Sequence, residues 1–290
     1  MAKIAVELEQ AVARRKQTAN PETMSLRVLD EGSGWRVADI LCTSGPQDRA
    51  FEERHERVSI SLVTAGTFQY RSGNSVAMMT PGSLLLGNPG QAFECGHEHG
   101  EGDRCISFQY QPEIFEEIAV DAGGAKRFAL LRMPPVRELA ALTAQAVAAL
   151  EITEQNSWKE LSVAIAARVA QMAEESAPSY GDLPAGALAR VTRIVRRMDH
   201  EMAAPQRLDA LARESRLSPF HFLRTFERLT GLTPHQYILR TRLRRAAVRL
   251  LADSEKILDI ALDCGFGDVS NFNRAFRAEF GMNPRAYRAQ

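Results

Sequence analysis

Two stretches near the end of the chain repeat each other, and this repeat constrains the fold more than any other feature. Six residues recur fifty positions later in the same order: Phe222, Arg224, Phe226, Gly231, Pro234 and Tyr237 match Phe272, Arg274, Phe276, Gly281, Pro284 and Tyr287. Upstream the match continues at an offset of 49, so one extra residue lies in the second turn. A repeat of this kind indicates two copies of one supersecondary unit.

Each copy predicts a helix, a short turn and a second helix. In the first copy, Leu208–Ser215 forms a short helix, and Ser218-Pro219 supplies an N-cap and a first-turn proline for a helix that stops at Gly231. The second copy repeats this from Ile257 to about Phe280. Each second helix buries a Phe stripe and exposes polar and arginine side chains. The pattern predicts helix-turn-helix units at 208–230 and 257–280, whose second helices can enter a major groove.

A linker helix is predicted between the two copies. Thr233-Pro234 starts this helix, which runs to about Leu251. Its length of about 27 Å is compatible with the ~34 Å between successive major grooves on one face of B-DNA. We expect five of its side chains to point mostly outward: Arg240, Arg242, Arg244, Arg245 and Arg249.

The charge is divided along the chain. The total of 36 basic and 36 acidic residues gives a net charge of zero, which by itself argues against a nucleic-acid partner. Residues 1–184, however, hold 17 basic and 25 acidic side chains, whereas 185–290 hold 19 and 11, and 18 of those 19 are arginine. Such asymmetry is typical of a chain of which one part binds a polyanion.

The first half of the chain predicts an all-β domain. Between about 25 and 110, short apolar or alternating runs such as WRVADILC and VSISLVTAG are separated by Pro-Gly and Asn-Pro-Gly turns, a pattern of an antiparallel sandwich or small barrel. Residues 1–20 predict an amphipathic helix. The four cysteines form no CxxC pair, and no run is long and apolar enough for a membrane span or signal peptide. We therefore expect a cytoplasmic protein with no membrane partner.

Helical spacing replaces the β pattern after Pro134-Pro135. Val136–Ile152 and Trp158–Ala173 predict two alanine-rich helices that form a hairpin over 135–176. The hairpin is either a lid on the β-domain or a dimer interface. A Pro/Gly/Ser-rich linker follows at 177–187 and marks the domain boundary, and the basic domain occupies 188–290.

One group of possible metal ligands lies near the end of the β-region. In an extended segment Cys95, His97 and His99 would lie on one side, with Cys105 on a following strand. These four residues could hold Zn²⁺ or another transition metal. The alternative, which the polar composition of this segment favours, is that they form structural hydrogen bonds or line a ligand pocket.

The stretch from about Arg190 to Arg288, including GFGDVSNFNRAFRAEFGMNPRAYR, resembles the DNA-binding domain of AraC-type (AraC/XylS) transcription regulators. The resemblance implies sequence-specific binding of double-stranded DNA. Expected base contacts come from the two second helices: Phe220, His221, Leu223, Arg224, Ser270, Asn271, Asn273 and Arg274. Phosphate contacts are expected from Arg228, Arg240, Arg244, Arg245 and Arg277. The sequence is unusual in placing apolar Phe220 and Leu223 toward the groove, where they can contact thymine methyls.

The first half resembles the cupin-like sensor of such regulators in its order and length. Pro81-Gly82 and Asn88-Pro89-Gly90 resemble the second cupin motif, but the histidine expected after it is absent, and only His55 lies near the position of the first motif. A metal-centred cupin enzyme is therefore not expected, and we predict no catalytic residues and no required cofactor.

The resulting prediction is a two-domain α+β protein. Residues 1–134 form a cupin-like β-barrel or sandwich with a helical, dimerising hairpin, and the C-terminal domain is all-α. The predicted function is a DNA-binding transcription regulator that responds to an unidentified small effector, with a second copy of the chain and RNA polymerase as further partners. The alternatives are an Ada-like alkyl-transfer protein, a metal- or redox-sensing regulator using the Cys95 group, and a DNA binder without an effector. The Ada-like alternative would need a four-cysteine site near the N-terminus, where only Cys42 is present.

Overall fold

The structure is a computed structural model that describes residues 2–17, 23–48, 50, 52–151, 158–174 and 186–289. It contains two compact units. The first, which we call the β-unit, comprises 2–134 and 155–182, and the second, the helical unit, comprises 135–154 and 183–290. Among the described residues, no helix is both long enough and apolar enough to span a bilayer.

The β-unit contains ten strands and three helices within the described ranges. The strands are β1 Met24–Gly32, β2 Trp35–Cys42, β3 Glu53–Arg54, β4 Val58–Ala65, β5 Phe68–Ser72, β6 Ser75–Met79, β7 Leu84–Gly87, β8 Ala92–Gly96, β9 Asp103–Tyr110 and β10 Arg132–Met133. The helices are α1 Ala2–Gln17, α2 Pro112–Asp121 and α4 Trp158–Glu174.

The strands form two antiparallel sheets. One has the order β1-β2-β9-β4-β7-β10 and the other β3-β8-β5-β6. A core cluster joins them, since Val63, Leu85 and Cys105 of the first sheet pack with Phe68 and Tyr70 of the second. The predicted cupin-like all-β architecture is thus confirmed. The sequence pattern did not reveal β1, β3, β8, β10 or α2.

The outer face of the first sheet carries a buried ion cluster. Arg104 makes a bidentate contact with Asp39 on the neighbouring strand, with both N–O distances at 2.8 Å, and also pairs with Glu7 of α1 at 2.7 Å. Arg27 adds a further bond to Asp39 at 2.9 Å. A buried charge is tolerated when it is paired in this way. The cluster fixes the register of β2 and β9 and leaves the alternate residues of both strands to face the interior between the sheets.

The helical unit contains eight α-helices within the described ranges. They are α3 Ala140–Glu151, α5 Ala187–His200, α6 Leu208–Glu214, α7 Pro219–Thr230, α8 Pro234–Ala252, α9 Ile257–Asp263, α10 Val269–Phe280 and α11 Pro284–Arg288. A short 3₁₀ helix, Arg137–Leu139, precedes α3. The pairs α6–α7 and α9–α10 are the two predicted helix-turn-helix units, and α8 is the predicted linker helix.

Both second helices of the repeat are bounded by the same signals. Ser218 caps α7 and Asp268 caps α10, each side chain accepting a hydrogen bond from the backbone N–H three residues on. Gly231 and Gly281 end the two helices with φ angles of 78° and 77°, a left-handed conformation that glycine adopts without strain. The N-cap residues and the C-terminal glycines of the repeat therefore set the boundaries of α7 and α10.

The structure corrects the predicted helical hairpin. Helix α3 packs on α8 in the helical unit, whereas α4 packs on α2 and β1 in the β-unit. The hairpin is therefore not a separate domain of its own. Because the two helices follow each other in the sequence and both have apolar residues at helical spacing, the sequence predicted that they pack on each other. Each of them packs on other elements instead. The predicted turn between them, and nearly all of the predicted linker at 177–187, lie outside the described residues.

Candidate functional site

Helix α7 presents one face for contact with another molecule. Phe222 and Phe226 on its inner face are fully buried. The predicted contact residues Phe220, His221, Arg224 and Arg228 are exposed, and Phe220 retains 70% of its surface area. The remaining predicted contact residue of this helix, Leu223, is half-buried.

Helix α10 presents the corresponding face with different chemistry. Phe272 and Phe276 are fully buried, while all five predicted contact residues are exposed: Ser270, Asn271, Asn273, Arg274 and Arg277. The Arg274 Nη2 group donates to Asn271 Oδ1 at 3.1 Å. This bond joins two of the exposed side chains of α10.

The arginines of α8 do not follow the prediction that they point mostly outward. All five are half-buried. Arg240 donates to the Pro135 carbonyl at 2.9 Å and pairs with Glu279 at 3.2 Å, and Arg242 donates to the Met202 and Ala204 carbonyls. Helical periodicity predicted which face of α8 carries the arginines, but it did not predict that these side chains contact other residues of the helical unit.

The sequence predicts phosphate contacts for three of these arginines, Arg240, Arg244 and Arg245. Burial lowers the pKa of Arg244, which lies in the field of Tyr237 and Asp199, and Arg245 contacts the Met202 sulfur at 3.7 Å. Arg240, Arg244 and Arg245 thus interact with other residues of the helical unit, and their phosphate contacts stay a prediction. Arg228 and Arg277, in contrast, are exposed and free to contact phosphates from their predicted positions.

The β-unit encloses a cavity of about 310 Å³ between its sheets, within the range of about 300–1,000 Å³ that is usual for small-molecule sites. Strand alternation produces its wall, because every second residue of a strand faces inward. On β9 these residues are Asp103, Cys105, Ser107 and Gln109.

The lining of the cavity combines polar and apolar side chains. The Arg36 guanidinium donates twice to Gln109 Oε1, at 3.1 and 2.7 Å, and Ser61 donates to Ser107 at 3.0 Å. Leu26, Ile40, Leu85, Phe68 and Phe93 form the apolar lining. Among the residues that the structure describes, no carboxylate pairs with Arg36, so its charge remains available to a ligand.

A second polar cluster lies at another part of the cavity wall. His97 Nε2 lies 2.9 Å from Asp103 Oδ2 and 3.6 Å from Cys42 Sγ. Burial works against the charged imidazole, but the hydrogen bonds to Asp103 and Cys42 outweigh it and raise the pKa of His97 to about 10. Neither Cys42 nor Asp103 was in the sequence-predicted group, although their pairing across β2 and β9 places them side by side.

The predicted Cys95, His97, His99 and Cys105 group does not form as expected. Strand β8 ends at Gly96, so the alternation stops before His99. The two ring nitrogens of His99 instead contact the Thr67 hydroxyl at 2.8 Å and the Glu101 N–H at 3.2 Å. Cys95 and Cys105 do line the cavity, and burial raises the pKa of both thiols.

His55, the histidine nearest the first cupin motif, has a structural role. Its Nε2 lies 2.7 Å from the Tyr70 hydroxyl and its ring stacks on Phe93 with centroids 4.3 Å apart. Burial lowers the pKa of His55 to about 4. This neutral histidine packs against Phe93, which belongs to the apolar lining of the cavity.

Comparison with known proteins identifies both parts of the chain. Residues 211–290 match a helix-turn-helix domain family, and residues 40–171 match the AraC-like ligand binding domain. Regulatory protein SoxS of Salmonella typhimurium is 34% identical over 98 residues, which are 34% of this chain and 92% of SoxS. The chain belongs to the AraC/XylS family.

Other relatives match over a similar share of the chain. The HTH-type transcriptional activator RhaS of Klebsiella pneumoniae is 35% identical over 100 residues, but these are only 36% of RhaS and 34% of this chain. A crystal structure of an AraC-type transcriptional regulator from Chromobacterium violaceum has 33% identity, a TM-score of 0.34, and coverage of 37% of this chain and 96% of that one.

Family membership establishes the general function. The protein is a DNA-binding transcription regulator with an AraC-like ligand-binding domain in its first half. The alkyl-transfer alternative is not favoured, because both family matches are to domains of such regulators.

Proposed function

We propose that this AraC/XylS regulator binds one specific DNA sequence through α7 and α10 and that a small effector in the cavity of the β-unit changes that binding. The observation that carries the DNA part is the matched exposure of Arg224 and Arg274 at equivalent positions of the two helices. Arginine can bond to guanine in a bidentate manner, and two such helices can occupy successive major grooves.

Selection from random duplex DNA with the full chain tests this part of the proposal. We expect enrichment of a motif with two conserved blocks about one helical turn, or ~10 base pairs, apart. Arg224→Ala should relax the preference in one block only, and Arg274→Ala in the other. Recovery of unrelated sequences, bound with equal affinity, would contradict specific recognition.

The cavity supports an effector of mixed polarity. Arg36, Gln109 and the serines of β4 and β9 suit a carboxylate or a group of hydroxyls, and the apolar lining suits a short hydrocarbon or aromatic part. An effector can regulate DNA binding only if its affinity differs between two states of the protein. We propose a small carboxylic acid as the effector.

A thermal-shift screen of small carboxylic acids on the full chain tests the effector. A compound that binds should raise the unfolding temperature of the parent protein and have a much smaller effect on Arg36→Met. Arg71→Met is the matched control, since Arg71 on β5 is exposed and does not line the cavity. Equal shifts in the parent, Arg36→Met and Arg71→Met would place the ligand elsewhere.

Exposed valines on α2 and α4 support contact with a second copy of the chain. Val120 on α2 and Val163 on α4 are 56% and 43% exposed, and the two helices pack on each other. Exposed apolar side chains of this kind suit contact with a second copy of the chain. Val163→Asp should therefore lower the dimer fraction in sedimentation experiments. We further propose contact with RNA polymerase, a cytoplasmic location and no enzymatic activity, which are usual for a transcription regulator.

A further inference from the structure

Three metal-ligating side chains converge at one end of the cavity. Cys42 Sγ, His97 Nε2 and a carboxylate oxygen of Asp103 all lie within 4.8 Å of one another. From this geometry we infer a binding site for a divalent transition-metal ion, Zn²⁺ or a similar ion, made by Cys42, His97 and Asp103.

Two potential metal ligands share one nitrogen of His97. Both Cys42 Sγ and Asp103 Oδ2 approach Nε2, at 3.6 and 2.9 Å. That nitrogen carries either one proton or one lone pair in the ring plane, so without a metal the two side chains share a single hydrogen-bonding position. A cation placed among the three atoms would bind all of them at once.

Two of the three ligand distances are close to those of a tetrahedral zinc site. With Zn–S at about 2.3 Å and Zn–N at about 2.0 Å, tetrahedral angles separate the sulfur and nitrogen ligands by about 3.5 Å, and the Cys42 Sγ–His97 Nε2 distance is 3.6 Å. A tetrahedral nitrogen–oxygen separation is about 3.3 Å, and the His97 Nε2–Asp103 Oδ2 distance is 2.9 Å. The third pair, the Cys42 sulfur and an Asp103 carboxylate oxygen, lies within 4.8 Å.

The backbone holds two of the ligands in place. Cys42 and Asp103 are direct partners in the antiparallel pairing of β2 and β9, so their Cβ atoms lie about 5 Å apart on the same face of the sheet. His97 follows β8 of the other sheet, and its side chain and that of Asp103 are 6% and 7% exposed. The site therefore joins the two sheets at a buried position.

The three ligand atoms determine which class of metal ion fits the site. One thiolate, one imidazole and one carboxylate suit zinc and its borderline neighbours better than Mg²⁺ or Ca²⁺, which prefer oxygen ligands. A divalent ion would balance the two negative charges of Cys42 and Asp103 when His97 is neutral. Three protein ligands leave a fourth position open toward the cavity, where a solvent molecule or another donor can bind.

The test measures metal binding by the untagged full chain, from which any metal has first been removed by dialysis against chelator. Titration with Zn²⁺ in competition with a chromophoric chelator should give one ion per chain. Titration with Co²⁺ should give a thiolate-to-cobalt charge-transfer band in the near ultraviolet and the intense visible bands of tetrahedral cobalt. Both readouts are independent of DNA binding, so their failure would leave the proposed function intact.

Cys42→Ser and His97→Gln should each weaken Zn²⁺ binding by at least about 100-fold, since loss of an outer hydrogen-bond partner alone typically costs about 10- to 100-fold. His99→Gln and Cys264→Ser are matched controls, because neither residue belongs to the cluster, and both should bind Zn²⁺ as the parent does. Tryptophan fluorescence of the metal-free variants verifies that the β-unit is folded. Less than one ion per chain, no thiolate band, or the same loss in the controls would overturn the site.

Discussion

The two helix-turn-helix units share their interiors and differ on their surfaces. Phe222 and Phe226 of the first unit and their counterparts in the second are all fully buried. On the outer faces, however, Phe220 and the half-buried Leu223 stand where the second unit has Ser270 and Asn273, which are both exposed. The repeat thus preserves what folds the unit and varies what touches DNA. The first unit is suited to apolar contacts with thymine methyls and the second to hydrogen bonds with base edges.

The turns of the two units also differ. Arg216 in the first turn has a φ of 56°, in the left-handed region, and the equivalent position of the second turn is Gly265 with a φ of 86°. A non-glycine residue in this region is strained by about 1–2 kcal/mol. The first unit therefore contains a local strain that the second avoids.

The largest expected difference concerns the aromatic cores. Phe276→Ala should lower the free energy of local unfolding by about 5 kcal/mol and Phe226→Ala by about 3 kcal/mol, at the two ends of the usual range. The reason is that Phe276 contacts three aromatic rings and Phe226 two. Hydrogen exchange of the helix amides in the full chain measures this free energy. Equal losses would mean that the two cores are equally packed.

Both tryptophans, Trp35 and Trp158, belong to the β-unit. Their fluorescence therefore provides an internal control for substitutions in the helical unit. It should report the same unfolding of the β-unit in the parent, Phe226→Ala and Phe276→Ala proteins.

The next prediction compares how the exposed faces of α7 and α10 contribute to DNA binding. Arg274→Ala should cost about 1–3 kcal/mol of binding to the selected sequence and much less of binding to random duplex. Phe220→Ala should cost less than Arg274→Ala, because an apolar contact with a methyl group lacks the directionality of a bidentate bond. Affinities at several salt concentrations provide the measurement. Equal losses on specific and random DNA for Arg274→Ala would assign it a phosphate contact.

The turn substitutions should have opposite signs. Gly265→Ala should destabilise α9 and α10 by about 2 kcal/mol through the left-handed conformation, and its Cβ would lie 2.8 Å from the Ala203 Cα. Arg216→Gly should stabilise the first unit slightly, by less than about 1 kcal/mol, because relief of strain is partly offset by greater chain entropy in the unfolded state. Hydrogen exchange of the flanking helices would reveal both changes; destabilisation by Arg216→Gly would refute the assigned strain.

The smallest effect concerns the helix caps. Loss of a capping side chain costs about 1 kcal/mol. The Asp268 carboxylate accepts from its capped N–H at 2.7 Å, whereas the Ser218 hydroxyl does so at 3.3 Å. Asp268→Ala should therefore destabilise α10 more than Ser218→Ala destabilises α7, and Asp268→Asn should retain most of the stability. Exchange of the first-turn amides would detect the difference.

The sequence predicted best where its signals were local. N-cap residues, C-terminal glycines and the spacing of the phenylalanines act within one helix. The boundaries of α7 and α10 could therefore be predicted from the sequence. It predicted poorly where a side chain meets a distant partner: Arg240 pairs with Glu279, and Arg242 with the Met202 carbonyl. His99 was misplaced because alternation was extended past the end of β8, and Cys42 was missed because its pairing with Asp103 spans about sixty residues.

The packing of α3 on α8 has a consequence for how such a protein can exchange its parts. The polypeptide enters the helical unit for 135–154, leaves it and returns at 183. A recombination event that transferred only 185–290 to another sensor would separate α8 from the alanine-rich surface that covers it. Transfer of that segment alone would therefore leave exposed the face of α8 that α3 covers here, unless the new sensor supplied another apolar surface for it.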